Sequence, residues 1–169
     1  NKMIKQYQGC NGIKTGFTSD AGYCLSASAT REETHLIAVV LGAETSQIRN
    51  KEVAKILDYG FANYKTEVIA EEKEVMEEIT IERGNPQKIK VLSKGRVTVL
   101  SEKGNGDSIT SEIVINKKIT LPITKGDEVG KLVVYEDEKE IGEYSLVSNS
   151  DVKKASFRQI ILRAFRRTT

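Results

Sequence analysis

The sequence predicts an α+β chain in three segments. Three observations predict it. Apolar residues recur at helical spacing late in residues 1–65, alternation of period two dominates residues 66–148, and residues 149–169 combine apolar and basic side chains at helical spacing. The 169 residues are 38% hydrophobic and 30% charged, with no Trp. That is enough chain for one good core or two small ones. No run of 18 apolar residues occurs, so no helix is expected to span a bilayer. The opening residues Asn1–Gln8 have no apolar signal-peptide region, and the chain begins without Met. A processed or truncated piece of a longer protein is the expectation.

The first segment, 1–65, reads as strands at Gly9–Gly16, Gly22–Thr30 and His35–Gly42, followed by a helix. Turns at Phe17–Ala21 and Arg31–Glu33 are short, so the strands should pair antiparallel. Leu36–Leu41 is apolar at every position and is expected to be a central, covered strand. Thr45 or Ser46 can cap the helix. Val53, Ile56, Leu57, Gly60, Phe61 and Tyr64 form its apolar stripe.

The second segment, 66–148, alternates at Ile79/Ile81, Ile89/Val91, Val97/Val99, Ile113/Ile115 and Leu132/Val134. Turn signals at Gly84-Asn85-Pro86, Gly104–Asp107, Lys125–Asp127 and Asp137-Glu138 separate the runs. Short strands with regular turns predict a small antiparallel β-sandwich or barrel. The boundary near Thr66 rests on the change of period.

The third segment is 149–169. Val152, Phe157, Ile160, Ile161, Ala164 and Phe165 share a helical face, and Lys153, Lys154, Arg158, Arg163, Arg166 and Arg167 cover the rest. An amphipathic helix from about Asp151, capped by Ser150 or Asp151, is expected to lie on an anionic membrane surface. Docking on its own sandwich and nucleic-acid binding are the alternatives. The charge distribution agrees with an anionic surface partner. Residues 66–148 carry 12 basic and 17 acidic side chains, whereas 149–169 carry 6 basic and 1 acidic.

Chemistry is suggested by Lys14-Thr15-Gly16. On a strand, Lys14 and Gly16 face one way and Thr15 the other, unless a twist or bulge intervenes. Lys14 offers a point charge for a carboxylate, and Thr15 or Thr18 a hydroxyl bond. Gly16 allows close approach of a ligand backbone. His35 is the only histidine and begins an apolar strand, so it reads as structural. Adjacent acids such as Glu71-Glu72 and Glu77-Glu78 read as solvated faces, and no metal or cofactor is expected. Cys10 and Cys24 have no zinc spacing; they are free thiols or a cross-strand disulfide.

The stretch Asn11–Thr18, followed by Ala21-Gly22-Tyr23-Cys24-Leu25 and Ala27–Thr30, resembles the third active-site motif of the D-alanyl-D-alanine carboxypeptidases. These are the low-molecular-mass penicillin-binding proteins of the serine peptidase S11 group. Ile56–Phe61 is similar to the family's last catalytic-domain helix. The expected sandwich and terminal helix also match, so the resemblance covers nearly the whole chain. Many members have Asp where Asn11 stands and His where Phe17 stands. The resemblance implies that 1–65 is the C-terminal part of a penicillin-binding/β-lactamase-like domain.

It further implies acyl transfer at a serine, removal of terminal D-Ala from peptidoglycan stem peptides, acylation by β-lactam antibiotics, and a place on the outer face of the bacterial cytoplasmic membrane. Lys14, Thr15, Gly16, Phe17 and Thr18 would be the substrate-binding residues, with an oxyanion-hole N–H at Phe17 or Thr18. No catalytic residue is expected within the chain. Ser-x-Asn is absent, and the one Ser-x-x-Lys, Ser150–Lys153, lies at the start of the tail. The chain alone should therefore be inactive. A class A β-lactamase shares Lys-Thr-Gly but would end after its catalytic domain. The remaining alternative is a non-catalytic module that binds cell-wall peptides or positions a partner on the membrane.

Overall fold

A computed structural model describes residues 1–104 and 109–160. The chain is mostly β with a few helices. The elements are α1 (Met3–Gln6), β1 (Cys10–Thr18), β2 (Gly22–Arg31), β3 (Thr34–Ala43), α2 (Ser46–Asn63), β4 (Tyr64–Ala70), β5 (Val75–Thr80), β6 (Gly84–Asn85), β7 (Lys88–Ser93), β8 (Val97–Glu102), β9 (Ile109–Ile115), β10 (Glu128–Glu136), β11 (Lys139–Ser148) and β12 (Lys153–Lys154). They form two compact units. One comprises Asn1–Glu67 with Val99–Gly106, the other Val68–Thr98 with Asp107–Thr169.

In the first unit β1, β2 and β3 form an antiparallel sheet in that order, so β2 is the central strand. This corrects the expectation for Leu36–Leu41. β3 is an edge strand in the described sheet, and Ile37, Val39 and Leu41 are 60%, 55% and 74% exposed. Their alternates Leu36, Ala38 and Val40 pair with Ala29, Ala27 and Leu25 and face α2. Small residues at Ala27, Ala29 and Ala38 leave room for Met3, Val53, Leu57 and Phe61, which complete the core with Leu25 and Cys10. A side chain at Gly60 would collide with Leu36, so this glycine lets helix and sheet approach closely.

Thr45 supplies the α2 cap, its hydroxyl accepting from the Ile48 N–H at 3.2 Å. The buried stripe of α2 is Arg49, Val53, Leu57 and Phe61, at strict four-residue spacing. Ile56 and Tyr64 depart from the expected stripe: Ile56 is exposed and Tyr64 is already extended. At its other end α2 is capped from the turn that follows β8. Lys103 donates its backbone N–H to the Asn63 carbonyl and its ammonium to the Phe61 carbonyl. A cation on the last carbonyls satisfies orphan acceptors and complements the helix dipole.

The second unit contains a five-stranded antiparallel sheet, ordered β5-β7-β11-β10-β9. Leu132, Val133 and Val134 of β10 are all buried, so this strand is covered on both faces. The residues expected to open the tail helix belong to this unit instead. Val152 is fully buried and exchanges two backbone hydrogen bonds with Ile123, at 2.8 and 2.9 Å. Lys153 and Lys154 pair with Asn85 and Gly84. Neither Ser150 nor Asp151 is the helix cap. A helical turn begins at Phe157, and Ser156 with Gln159 forms a reciprocal capping box across it. Residues 161–169, which carry the rest of the expected amphipathic face, lie outside the described residues. No helix among the described residues is long and apolar enough to cross a membrane.

Candidate functional site

The Lys-Thr-Gly strand is an edge. Among the described residues β1 has β2 as its one partner, so alternate backbone groups along its other side point away from the sheet. Pairing runs Lys14–Ser26, Thr15–Leu25, Gly16–Cys24, Phe17–Tyr23 and Thr18–Gly22. Directly paired residues share a face. Thr15 therefore sits on the face of Leu25 and α2, whereas Lys14, Gly16 and Thr18 occupy the opposite face with Cys24 and Ser26.

The strand runs through Phe17 and Thr18, which the sequence had placed in the turn. Phe17 is exposed and stacks at a tilt on Tyr23, with ring centroids 4.4 Å apart. The Thr18 hydroxyl accepts from the Ala21 N–H at 3.0 Å and closes the turn. The Lys14 ammonium donates to the Thr15 carbonyl at 2.9 Å, and no ion pair among the described residues uses it. An exposed, uncompensated cation beside an open strand edge can take a carboxylate at the end of an extended peptide.

The two cysteines are free. Cys10 lies opposite Ala29 and Cys24 opposite Gly16, so six positions of strand, roughly 20 Å, separate them along the hairpin. That distance excludes the disulfide. A Cβ at Gly16 would stand 3.8 Å from that of Cys24, ordinary contact, so glycine here leaves space rather than relieving strain.

Several side chains around the strand escaped the sequence reading. Asn11 accepts from the Ser28 hydroxyl at 2.6 Å and donates to Thr30, which meets His35 Nδ1 at 2.7 Å. An Asp in place of Asn11 could accept from Ser28 but, ionised, could not donate to Thr30. Arg49 is buried; it donates to Asn50 and at 3.5 Å to the Cys24 carbonyl, bringing a second cation to the strand opposite Gly16. Its place four residues before Val53 was a usable signal. Arg31 lies between the rings of Tyr7 and Phe61, 4.8 and 4.5 Å from their centroids, and 3.6 Å from Asp58. Burial and a hydrogen bond to Asp58 raise the Tyr7 phenol well above its ordinary range. A cavity of about 510 Å³ opens beside Arg31, Phe61, Lys65 and Lys103; Lys14 is not among its lining residues.

Two family profiles match the chain. One, described as D-alanyl-D-alanine carboxypeptidase, covers residues 1–45; the other, described as penicillin-binding protein 5, C-terminal domain, covers residues 64–154. The chain belongs to the penicillin-binding protein 5 type of the D-alanyl-D-alanine carboxypeptidase family. Members similar to it include the D-alanyl-D-alanine carboxypeptidase DacF of Bacillus subtilis, 35% identical over 158 residues. That alignment takes in 93% of this chain and 41% of the relative. DacA of Haemophilus influenzae is 33% identical over 147 residues, 86% of this chain and 37% of the relative. The crystal structure of penicillin-binding protein 5 from Haemophilus influenzae superimposes with a TM-score of 0.77 at 31% identity, covering 90% of this chain and 45% of that one. The chain thus spans about two-fifths of the length of these family members.

Proposed function

We propose that the chain is the C-terminal portion of a serine-type D-Ala-D-Ala carboxypeptidase, and that β1 receives the C-terminus of a peptidoglycan stem peptide. The observation that carries this reading is the uncompensated Lys14 ammonium on an open strand edge, within a sequence stretch that matches the carboxypeptidase profile. The named relatives are D-alanyl-D-alanine carboxypeptidases, which supports the same reaction here.

In this reading a serine from outside the chain attacks the D-Ala-D-Ala peptide bond, terminal D-Ala leaves, and water releases the acyl-enzyme. Lys14 neutralises the substrate carboxylate. Thr18 shares its face, while Thr15 reaches the edge from the side of α2. The N–H of Phe17 or Thr18 stabilises the developing oxyanion. Penicillins acylate the same serine. Ser150 and Lys153 are not a nucleophile pair: the Ser150 hydroxyl bonds to Asn149, and Lys153 is held on β12. The first unit then represents the end of a transpeptidase-like catalytic domain (1–65), followed by a β-sandwich (66–148). Residues 151–169 hold the protein on the outer face of the bacterial cytoplasmic membrane.

A non-catalytic module that binds cell-wall peptides or positions a partner is the second reading, favoured by the lack of Ser-x-Asn anywhere in the chain. Labelling with a fluorescent penicillin separates the two. The longer protein containing this chain should label, and residues 1–169 alone should not. A labelled 169-residue chain overturns the assignment of the nucleophile to residues outside it; an unlabelled longer protein favours the module.

A further inference from the structure

We propose that one loop end of the second unit is itself a docking face for an anionic bilayer, built by Arg83, Lys117, Lys118, Lys125, Lys153 and Lys154. The inference rests on the membrane reading above and extends it from the terminal segment to the folded body. Antiparallel pairing brings the end of β5, the start of β7, the end of β11, the start of β10 and the end of β9 to the same side of the sheet. Three loops emerge there, 81–87, 116–127 and 149–155.

Backbone bonds tie the loops together. Lys153 and Lys154 pair with Asn85 and Gly84, and the Ala155 N–H donates to the Arg83 carbonyl at 2.7 Å. Val152 and Ile123 exchange hydrogen bonds, and the Lys125 N–H donates to Asp151 at 2.7 Å. Lys117 and Lys118 line a cavity of about 380 Å³ with Ile79–Glu82. All six cations are exposed, and no ion pair among the described residues uses one of them.

Of the other cations of this unit, Lys73, Arg96 and Lys131, and Lys88 at the start of β7, each stand against a glutamate. The ion pairs among the described residues use none of Lys90, Lys94 and Lys139, which are spread along the strands and turns and do not gather at one end. Among the described residues four carboxylates lie at or beside the loop end, Glu82, Asp127, Glu128 and Asp151, and Glu128 accepts from the Ser145 hydroxyl. Asp127 and Asp151 are engaged by the backbone N–H groups of Thr124 and Lys125. The acidic turns Glu71–Glu74 and Asp137-Glu138 lie at the far end of the strands, roughly 20 Å away along β5 and roughly 30 Å away along β10. Both exceed the screening length of roughly 10 Å at 0.1 M salt, so the two ends act on a charged surface separately.

A bilayer is favoured over a nucleic acid by what stands next to the cations. Phe157 and Ile160, just past β12, are 77% and 39% exposed. Apolar side chains beside a ring of ammonium groups suit the boundary between headgroup and acyl chain.

The test is sedimentation of residues 1–169 with phosphatidylcholine vesicles containing about one-third phosphatidylglycerol, at about 0.1 M salt, where the two ends are screened from each other. At roughly fivefold per basic residue near the surface, Lys117→Gln with Lys118→Gln should weaken partitioning roughly 25-fold. Lys73→Gln with Lys94→Gln, at the acidic end, should leave it unchanged. Equal losses from both pairs would mean that net charge alone acts, and would overturn the docking face. No loss from Lys117→Gln with Lys118→Gln, while the parent chain binds, overturns the docking face and leaves the terminal segment as the anchor. A parent chain that ignores these vesicles overturns the membrane reading and this inference together. Binding to a DNA duplex but not to vesicles, lost in Lys117→Gln with Lys118→Gln, would replace the bilayer as the occupant.

Discussion

At the scale of single residues, the site depends on a charge that has not been neutralised. The Lys14 ammonium donates to its neighbour's carbonyl, and no ion pair among the described residues has to break before an incoming carboxylate takes it. Lys14→Ala removes an exposed side chain and should change stability by less than about 0.5 kcal/mol. In the longer protein it should slow labelling by carboxylate-bearing penicillins by roughly tenfold or more, since a charge-assisted bond contributes about 1.5–3 kcal/mol. Labelling rates and urea midpoints measured together check both halves of that statement; unchanged labelling would remove Lys14 from the site. Arg49 is a different kind of cation. It is buried on neutral acceptors, and its truncation would disturb the α2 packing as well as the strand.

At the scale of elements, the tie between β4 and β8 is sensitive to pH. Glu67 of β4 accepts from the Ser101 hydroxyl of β8 at 2.7 Å and pairs with Lys65 at 3.1 Å. The Ser101 bond first, then the Lys65 bond, lower its carboxyl below the ordinary value. A depressed carboxylate stabilises the fold above its unfolded pKa, and that stability is lost as pH falls through the folded value. Glu67→Gln should therefore flatten the acid limb of stability below about pH 4.5, read as urea midpoints across that range.

How far such elements were legible depends on whether the signal was local. The β1–β2–β3 order, the Thr45 cap and the face alternation of Lys14 and Thr15 follow from turns, caps and period two. The exposure of Ile37, Val39 and Leu41 does not, because an apolar run reads alike whether or not something covers it. The Lys103 clasp on α2 and the Arg31 stack join residues dozens of positions apart, and no spacing rule reaches that far. In the tail, Val152 fitted a helical stripe and a strand equally well. The Ser156–Gln159 box was present in the sequence as Ser-x-x-Gln, but the basic residues before it drew the helix start too early.

At the scale of the whole molecule, the tail start decides where the protein can be cut. Truncation after Ser150 removes the buried Val152 and Ala155 and the β12 pairing; losing Val152 burial alone should cost about 1.5–3 kcal/mol. Truncation after Ala155 spares all of these and should leave thermal stability intact while lowering vesicle binding. Melting curves of the two truncations against the full chain check this, and equal stability of both would mean that residues 151–155 add nothing to the body. The capping box starts one residue after Ala155, whose N–H is still bonded to Arg83. There is no slack leash at that junction. A pull or twist applied beyond Ser156 is delivered to the Arg83–Asn85 corner as a lever arm would deliver it, instead of being absorbed by a linker.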